Sequence, residues 1–152
     1  MEATVRKRAI LDAAIRSLRS NAQEIKERID DLKAVTIGDE NADSASQTES
    51  TRGSDVELMR SLGEQYEHVL QDIDRLQDID PSVRMQVVQY GAVVITRDRH
   101  LLVAASIEEF EADGAHFLGV STRAPLVQAL SGSKVGDEME FQGKEIAIVE
   151  IL

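Results

Sequence analysis

Leu11, Ile15, Leu18, Ala22, Ile25, Ile29 and Leu32 follow one another at alternating steps of four and three residues. That spacing keeps them on one stripe of a helix with a 3.5-residue repeat. No Pro or Gly interrupts residues 2–35, and charged residues fill most remaining positions. A second run, Leu58, Leu62, Tyr66, Val69, Ile73 and Leu76, has nearly the same rhythm and ends before "DIDPS". There Pro81 disfavours helix at Asp80. Two stripes of similar length read as an antiparallel helical hairpin over residues 1–80, because each helix can bury its stripe only against the other. With the apolar positions used up internally, a small interface with the rest of the chain is expected.

Between the stripes lies "TIGDENADSASQTESTRGSD", residues 36–55, which is polar, acidic and read as a long connection. Its charge fits a wider asymmetry. Residues 1–34 hold 8 Lys and Arg against 6 Asp and Glu, residues 35–80 hold 3 against 12, and residues 81–152 hold 6 against 10. The net charge of −11 is therefore concentrated in the middle third. Bare phosphate backbone would repel such a chain, so stable direct binding to nucleic acid is not expected. A basic protein surface or a cation suits the middle third better. An acidic loop between helices is ordinarily a solvated connection, and that plain reading stands beside the functional one.

From Val83 onward short β-like runs alternate with turns. "MQVVQYGAVVIT" reads as a strand with a bulge at Gly91, "RDR" as a tight turn, and "HLLVAAS" and "AHFLGVS" as strands. "IEEFEADG" between them reads as a loop or short helix. "TRAPLVQALSG" reads as a short helix capped by Ser121 or Thr122, with Pro125 in its first turn and Gly132 past its end. "DEMEFQGKEIAIVEIL" reads as a hairpin turning at "QGK". The expected fold class is α+β: a coiled-coil hairpin over 1–80, then a small, mostly antiparallel sheet with one short helix over 83–152.

The chain has no cysteine, so disulfides and thiolate metal sites are excluded. No apolar run approaches the roughly 20 residues that span a bilayer, and the N-terminus lacks a signal peptide's apolar stretch. A cytoplasmic monomer without membrane association is the expectation. His68, His100 and His116 are scattered without ligand spacing. Ser17, Ser20 and the serines of the connection lack a partner His and Asp at any recognisable spacing.

"APLVQALSGSKVGDEMEF" followed by "GKEIAIVEIL" resembles the end of the bacterial Gre transcription elongation factors (GreA/GreB). Their C-terminal, FKBP-like domain carries a pattern on which Pro125, Ala129, Leu130, Gly132, Gly136 and Asp137 fall, while Ala124 replaces a usual Ser. "YGAVV" at 90–94 is similar to that domain's opening, and an antiparallel coiled coil precedes it in the family. The resemblance implies an FKBP-like domain here. It does not imply prolyl isomerase activity, since residues 83–152 offer only Tyr90, Phe110, Phe117 and Phe141 to line an aromatic pocket.

The resemblance also implies a partner and a mechanism. Gre factors insert the coiled coil into the secondary channel of RNA polymerase, where acids at its tip assist cleavage of backtracked RNA. A carboxylate can complete the oxygen shell of a weakly held second Mg²⁺ and orient the attacking water. The Mg²⁺ belongs to the polymerase, so no cofactor of the chain's own and no independent enzyme activity are expected. "GDENAD" falls on the family tip as if two residues were missing between its acids. Asp39 and Glu40 are the first candidates, Asp43 the third, and Glu49 and Asp55 follow if the apex lies further along. The usual tip acids stand three residues apart, whereas Asp39 and Glu40 are adjacent. For docking on the channel rim, the candidates are Arg123, Pro125 and Leu126. Three functions follow in order: a transcript-cleavage factor, a channel-binding regulator that does not support or even inhibits cleavage, and a coiled-coil adaptor for some other basic surface.

Overall fold

The computed structural model describes the backbone of residues 2–39 and 45–152, and the side chains of residues 2–35 and 53–152. Two long helices come first, α1 (Glu2–Asp39) and α2 (Ala45–Gln77). They are followed by β1 (Val93–Thr96), β2 (His100–Ala104), β3 (Ile107–Ala112), β4 (Ala115–Ser121), α3 (Pro125–Leu130), β5 (Glu138–Phe141) and β6 (Lys144–Ile151). The architecture is α+β, a helical pair ahead of a six-stranded sheet with one short helix. The strands run in the order β3-β4-β2-β1-β6-β5. Every neighbouring pair is antiparallel except β2 and β4, which are parallel.

The chain divides into two compact units, residues 18–71 and residues 1–17 with 72–152, so both long helices run through the division. In the first unit Leu18, Ala22 and Ile25 are buried on α1, and Leu62 and Val69 on α2. The unit contains only these two helices, so each stripe is covered by the other. One position departs from the expected stripe. Leu58 is 43% exposed, while Met59 and Asp55 are half-buried. A regular 3.5-residue repeat read back from Leu76 through Ile73, Val69, Tyr66 and Leu62 reaches Met59 and then Asp55; a step of four to Leu58 drifts off the seam.

The polar stretch is also shorter as a connection than its composition suggests. Helix continues to Asp39 and resumes at Ala45, so only residues 40–44 lie between. Ala, Gln, Glu and Arg are good helix formers, and extending an existing helix costs far less than nucleating a new one. A polar face without an apolar stripe therefore hid a helix.

In the second unit the sheet is buried on both faces. Leu101, Leu102 and Val103 are all buried along β2, and alternate side chains of a strand point to opposite sides. On one face Val94, Leu101, Val103, Ile148 and Ile151 pack with Val127 and Leu130 of α3 and with Val88. On the other face lie Val93, Leu102, Phe110 and Phe117, the last two rings stacked at 5.9 Å. The root of α1 belongs to this same unit, and its Ile10, Ala13 and Ala14 are buried outside the coiled-coil stripe. Two polar contacts tie that root down. The Arg6 guanidinium donates to Asp113 Oδ2 at 3.1 Å and to Glu150 Oε1 and Oε2 at 3.0 and 3.1 Å. Lys7, only 1% exposed, donates from Nζ to the Val83 carbonyl at 2.9 Å. The first 17 residues and residues 72–77 thus cluster with the sheet rather than with the rest of the helical pair.

Three local readings are corrected. "MQVVQY" is not strand: Gly91 has φ 90°, and Val88 pairs instead with the loop after α3, donating to the Ser133 carbonyl and accepting from Gly132 N. "IEEFEA" is strand β3, not loop or helix. Its buried Ile107, Phe110 and Ala112 face the core, and a register shift between Ile107 and Phe110 leaves Glu108 and Glu109 outside. The Asp113–Gly114 turn, with φ 51° and 73°, is a left-handed pair that favours a two-residue hairpin. Lastly, α3 is capped by neither Ser121 nor Thr122. Its N-cap is Ala124 without a side-chain bond, and Ser121 Oγ accepts from Arg123 N one step earlier.

Candidate functional site

Two surfaces hold the residues singled out in the sequence. The first is the far end of the helical pair. Asp39 is the last residue of α1, while Glu40 and Asp43 lie outside the described residues, as does the side chain of Asp39. Glu49 and Asp55 are on α2 rather than at an apex, and Asp55 is half-buried. The last turn of α1 carries no basic residue. A helix C-terminus concentrates partial negative charge on its unpaired carbonyls, so acids there are disfavoured unless a cation is near. Chemically, this end of α1 is suited to meeting positive charge.

The second surface surrounds α3. Pro125 opens the helix, where its missing N–H costs nothing. Arg123 and Pro125 are exposed and Leu126 is half-buried. Leu126 and Leu130 form one wall of a cleft of about 460 Å³. Its other walls come from the β1–β2 turn and the β5–β6 hairpin, with Leu101, Phe141 and Ile146 supplying apolar surface. Asp98, Arg99, Lys144 and Glu145 bring two charges of each sign to the lining. Arg97 reaches Glu138 at 3.8 Å, with both side chains largely exposed.

Of the sequence-derived docking residues, only Leu126 lines this cleft; Arg123 and Pro125 stand beside it. Reading the sequence missed Phe141, Ile146, Arg99 and Lys144. The available signal was the alternating hairpin on either side of Gln142–Gly143, whose positive φ angles of 51° and 79° make a two-residue turn.

The motif residues around α3 have structural roles. Leu130 is buried, and Gly132 and Gly136 adopt φ of 80° and 94°, which favour glycine. Asp137 Oδ2 accepts from Lys134 N at 2.8 Å, closing the intervening turn. Elsewhere, His116 Nδ1 lies 3.4 Å from Glu109 Oε1, both exposed, and the His100 ring packs on Phe117 at 5.2 Å. No group of three or more His, Cys, Asp or Glu capable of holding a metal occurs among the described residues. No helix among the described residues is long and apolar enough to cross a membrane.

No protein-family model and no curated protein sequence matches this chain. Among solved structures the chain is similar to "Structure of the transcription factor Gfh1", with 20% identity and a TM-score of 0.33 over 91% of this chain and 93% of that one.

Proposed function

We propose that this protein is a transcription elongation factor that binds RNA polymerase through its secondary channel and stimulates cleavage of backtracked nascent RNA by the polymerase's own active site. The observation that carries the reading is the ordered set Pro125, Ala129, Leu130, Gly132, Gly136 and Asp137, which resembles the Gre pattern in both order and spacing. A helical pair precedes this domain, as in the resembled family, with Asp39 at the end of α1. In this reading the protein has no active site of its own. Asp39 and Glu40, with Asp43 next, would lend oxygen ligands to a weakly held Mg²⁺ of the polymerase and help orient water. Arg123, Pro125 and Leu126, beside the cleft along α3, would contact the channel rim.

A second reading is favoured by one sequence feature. Asp39 and Glu40 are adjacent instead of three apart, so the two carboxylates need not converge on one ion. The protein would then occupy the channel without supporting cleavage, or would inhibit it.

A cleavage assay on a stalled, backtracked complex separates these readings. Wild-type protein is expected to stimulate cleavage. Asp39→Asn with Glu40→Gln is expected to bind equally well yet cleave about ten- to a thousand-fold more slowly, the loss of a few kcal/mol of transition-state stabilisation. Added Mg²⁺ should partly restore the variant if the acids recruit the ion. Binding without stimulation by the wild type selects the second reading, and absence of binding to core polymerase removes both.

A further inference from the structure

The sheet ends in two open edges, β3 and β5, and they are finished differently. Along β3 the register shifts between Ile107 and Phe110, an irregularity of the kind that spoils pairing with another chain. β5 has none: Glu138, Met139, Glu140 and Phe141 pair in unbroken register with Ala147, Ile146, Glu145 and Lys144. It contains neither Pro nor Lys. Bonded and non-bonded pairs alternate along an antiparallel ladder, and the pair that flanks a two-residue turn is a bonded one. Phe141 and Met139 therefore direct their main-chain groups to β6, as does Asp137, whose carbonyl accepts from Ile148 N at 3.0 Å. The N–H and C=O groups of Glu138 and Glu140 point the other way. Among the described residues no strand lies beyond them, and no loop or turn bonds to them.

The side chains give this edge two chemically distinct faces. Met139 and Phe141 share one: Met139 packs against the core and Phe141 lines the cleft beside α3. Glu138 and Glu140 share the other and are exposed. Glu140 stands directly opposite Glu145 on β6, and like charges in that relation destabilise a sheet. Arg97 reaches Glu138 at 3.8 Å, but no cation lies within ion-pair distance of Glu140 or Glu145 among the described residues. Lys144, opposite Phe141, belongs to the apolar face. A second copy of this strand is a poor occupant, since antiparallel pairing of β5 with itself sets Glu138 and Glu140 against two more carboxylates. The complementary occupant carries Lys or Arg at those positions and apolar residues between them.

We propose that the free edge of β5 is a docking site for an extended segment of a partner protein in which basic and apolar residues alternate. The segment adds a strand beyond β5. Its main chain bonds to the N–H and C=O groups of Glu138 and Glu140, and its basic side chains meet those two carboxylates and relieve the Glu140–Glu145 repulsion. Its apolar side chains extend the face of Met139 and Phe141. Main-chain bonds supply affinity in this mode of recognition, and the alternating side chains supply selectivity. The site does not rest on the polymerase-channel reading.

Titration of the full chain with a fluorescein-labelled peptide, Thr-Lys-Val-Lys-Val-Thr, tests this. Fluorescence anisotropy should show saturable binding with a Kd below about 1 mM. Amide hydrogen exchange at Glu138 and Glu140 should slow on binding, while that at Met139 and Phe141 should not change. The rearranged peptide Thr-Lys-Lys-Val-Val-Thr should bind at least about ten-fold more weakly. So should the alternating peptide methylated on the amide nitrogens of both lysines, which keeps its charge but loses two donors to the edge. Glu140→Lys should weaken binding of the alternating peptide by a similar factor and favour the peptide with Glu in place of Lys. No saturable binding, equal binding of the rearranged or methylated peptide, unchanged affinity in Glu140→Lys, or binding without slower exchange at Glu138 and Glu140 overturns the proposal. Dimerisation of the free protein that slows the same two amides assigns the edge to a second copy and overturns it as well.

Discussion

The same two helices live in different surroundings along their length. Near its root, α1 shares a compact unit with the sheet and is buried on more than its coiled-coil stripe. Ile10, Ala13 and Ala14 are therefore buried together with Leu11 and Ile15. In residues 18–71 each helix has only the other, and burial is confined to one stripe that weakens past Ile25 and Met59. Identical secondary structure thus carries unequal stability. A helix is as firm as the number of surfaces that exclude water from it, and regularity of the backbone says little about that.

Removing one surface from the root gives the largest expected effect. A fragment of residues 83–152 lacks the α1 root, which shares a compact unit with the sheet and its buried Val93, Leu102, Phe110 and Phe117. It should keep strand signal in far-ultraviolet circular dichroism, lose near-ultraviolet signal and bind a hydrophobic dye. A cooperative unfolding transition equal to that of the full chain would show that the root is dispensable and would break the comparison.

Single-residue changes sharpen it. Leu102→Ala, at a fully buried position of the sheet, should cost about 2–5 kcal/mol in urea unfolding. Leu58→Ala, on the exposed side of α2, should cost less than about 0.5 kcal/mol. Comparable losses from the two would contradict the difference in cover.

Arg6→Gln tests the tether. It removes a guanidinium that meets Asp113 and Glu150 while remaining partly exposed, so solvent screening limits the expected loss to about 1 kcal/mol. The loss should shrink in high salt.

Lys7 gives the smallest effect at neutral pH and an informative pH dependence. Burial pushes its pKa below the ordinary lysine range, with the Asp80 carboxylate partly opposing the shift. The unfolded chain therefore holds the Lys7 proton to higher pH than the folded chain does. The destabilisation is present in full at lower pH, and stability is gained as pH rises from the depressed value toward the ordinary one. Lys7→Met should be near neutral in stability at pH 7, since a buried charge is removed while the Val83 carbonyl loses its donor. As pH rises from that depressed value into the ordinary lysine range, the unfolding midpoint of the wild type should rise relative to Lys7→Met. A constant difference across that range would mean that Lys7 keeps an ordinary proton affinity.

Much of the architecture was legible because it rests on periodicity. The stripes through Leu18, Ala22, Leu62 and Val69, and the hairpin ending in β6, are one-dimensional patterns that burial later fills. What was hidden depends on cover from distant residues. Ile10, Ala13 and Ala14 lie off the stripe, so nothing local marks them as core. Glu108, Glu109 and Glu111 looked helical or loop-like because β3 is an edge strand with a bulge, where solvent-facing acids are tolerated and discourage edge pairing. Asp113–Gly114 was a legible turn signal that outweighs those glutamates. At the candidate site, Pro125 and Gly132 were placed correctly around α3, whereas Phe141 and Ile146 reach the cleft only because β5 and β6 fold back beside that helix. Asp39 ends α1 instead of lying within a long connection; Glu40 and Asp43 lie outside the described residues.

The Arg6–Glu150 contact joins positions 144 apart in sequence, and it has a consequence for the order in which this chain can acquire its structure during synthesis. The paired helices need only residues that emerge early and close through a short connection, so they can assemble while the rest is still being made. The sheet must wait for β6, which lies between β1 and β5, before the waiting root of α1 can be sealed against it. For that interval Ile10, Ala13 and Ala14 are presented to the cell without their final cover. A stretch that later becomes the most enclosed part of the helix is thus the nascent chain's most exposed liability, and a ribosome stalled before residue 144 should leave it open to a chaperone.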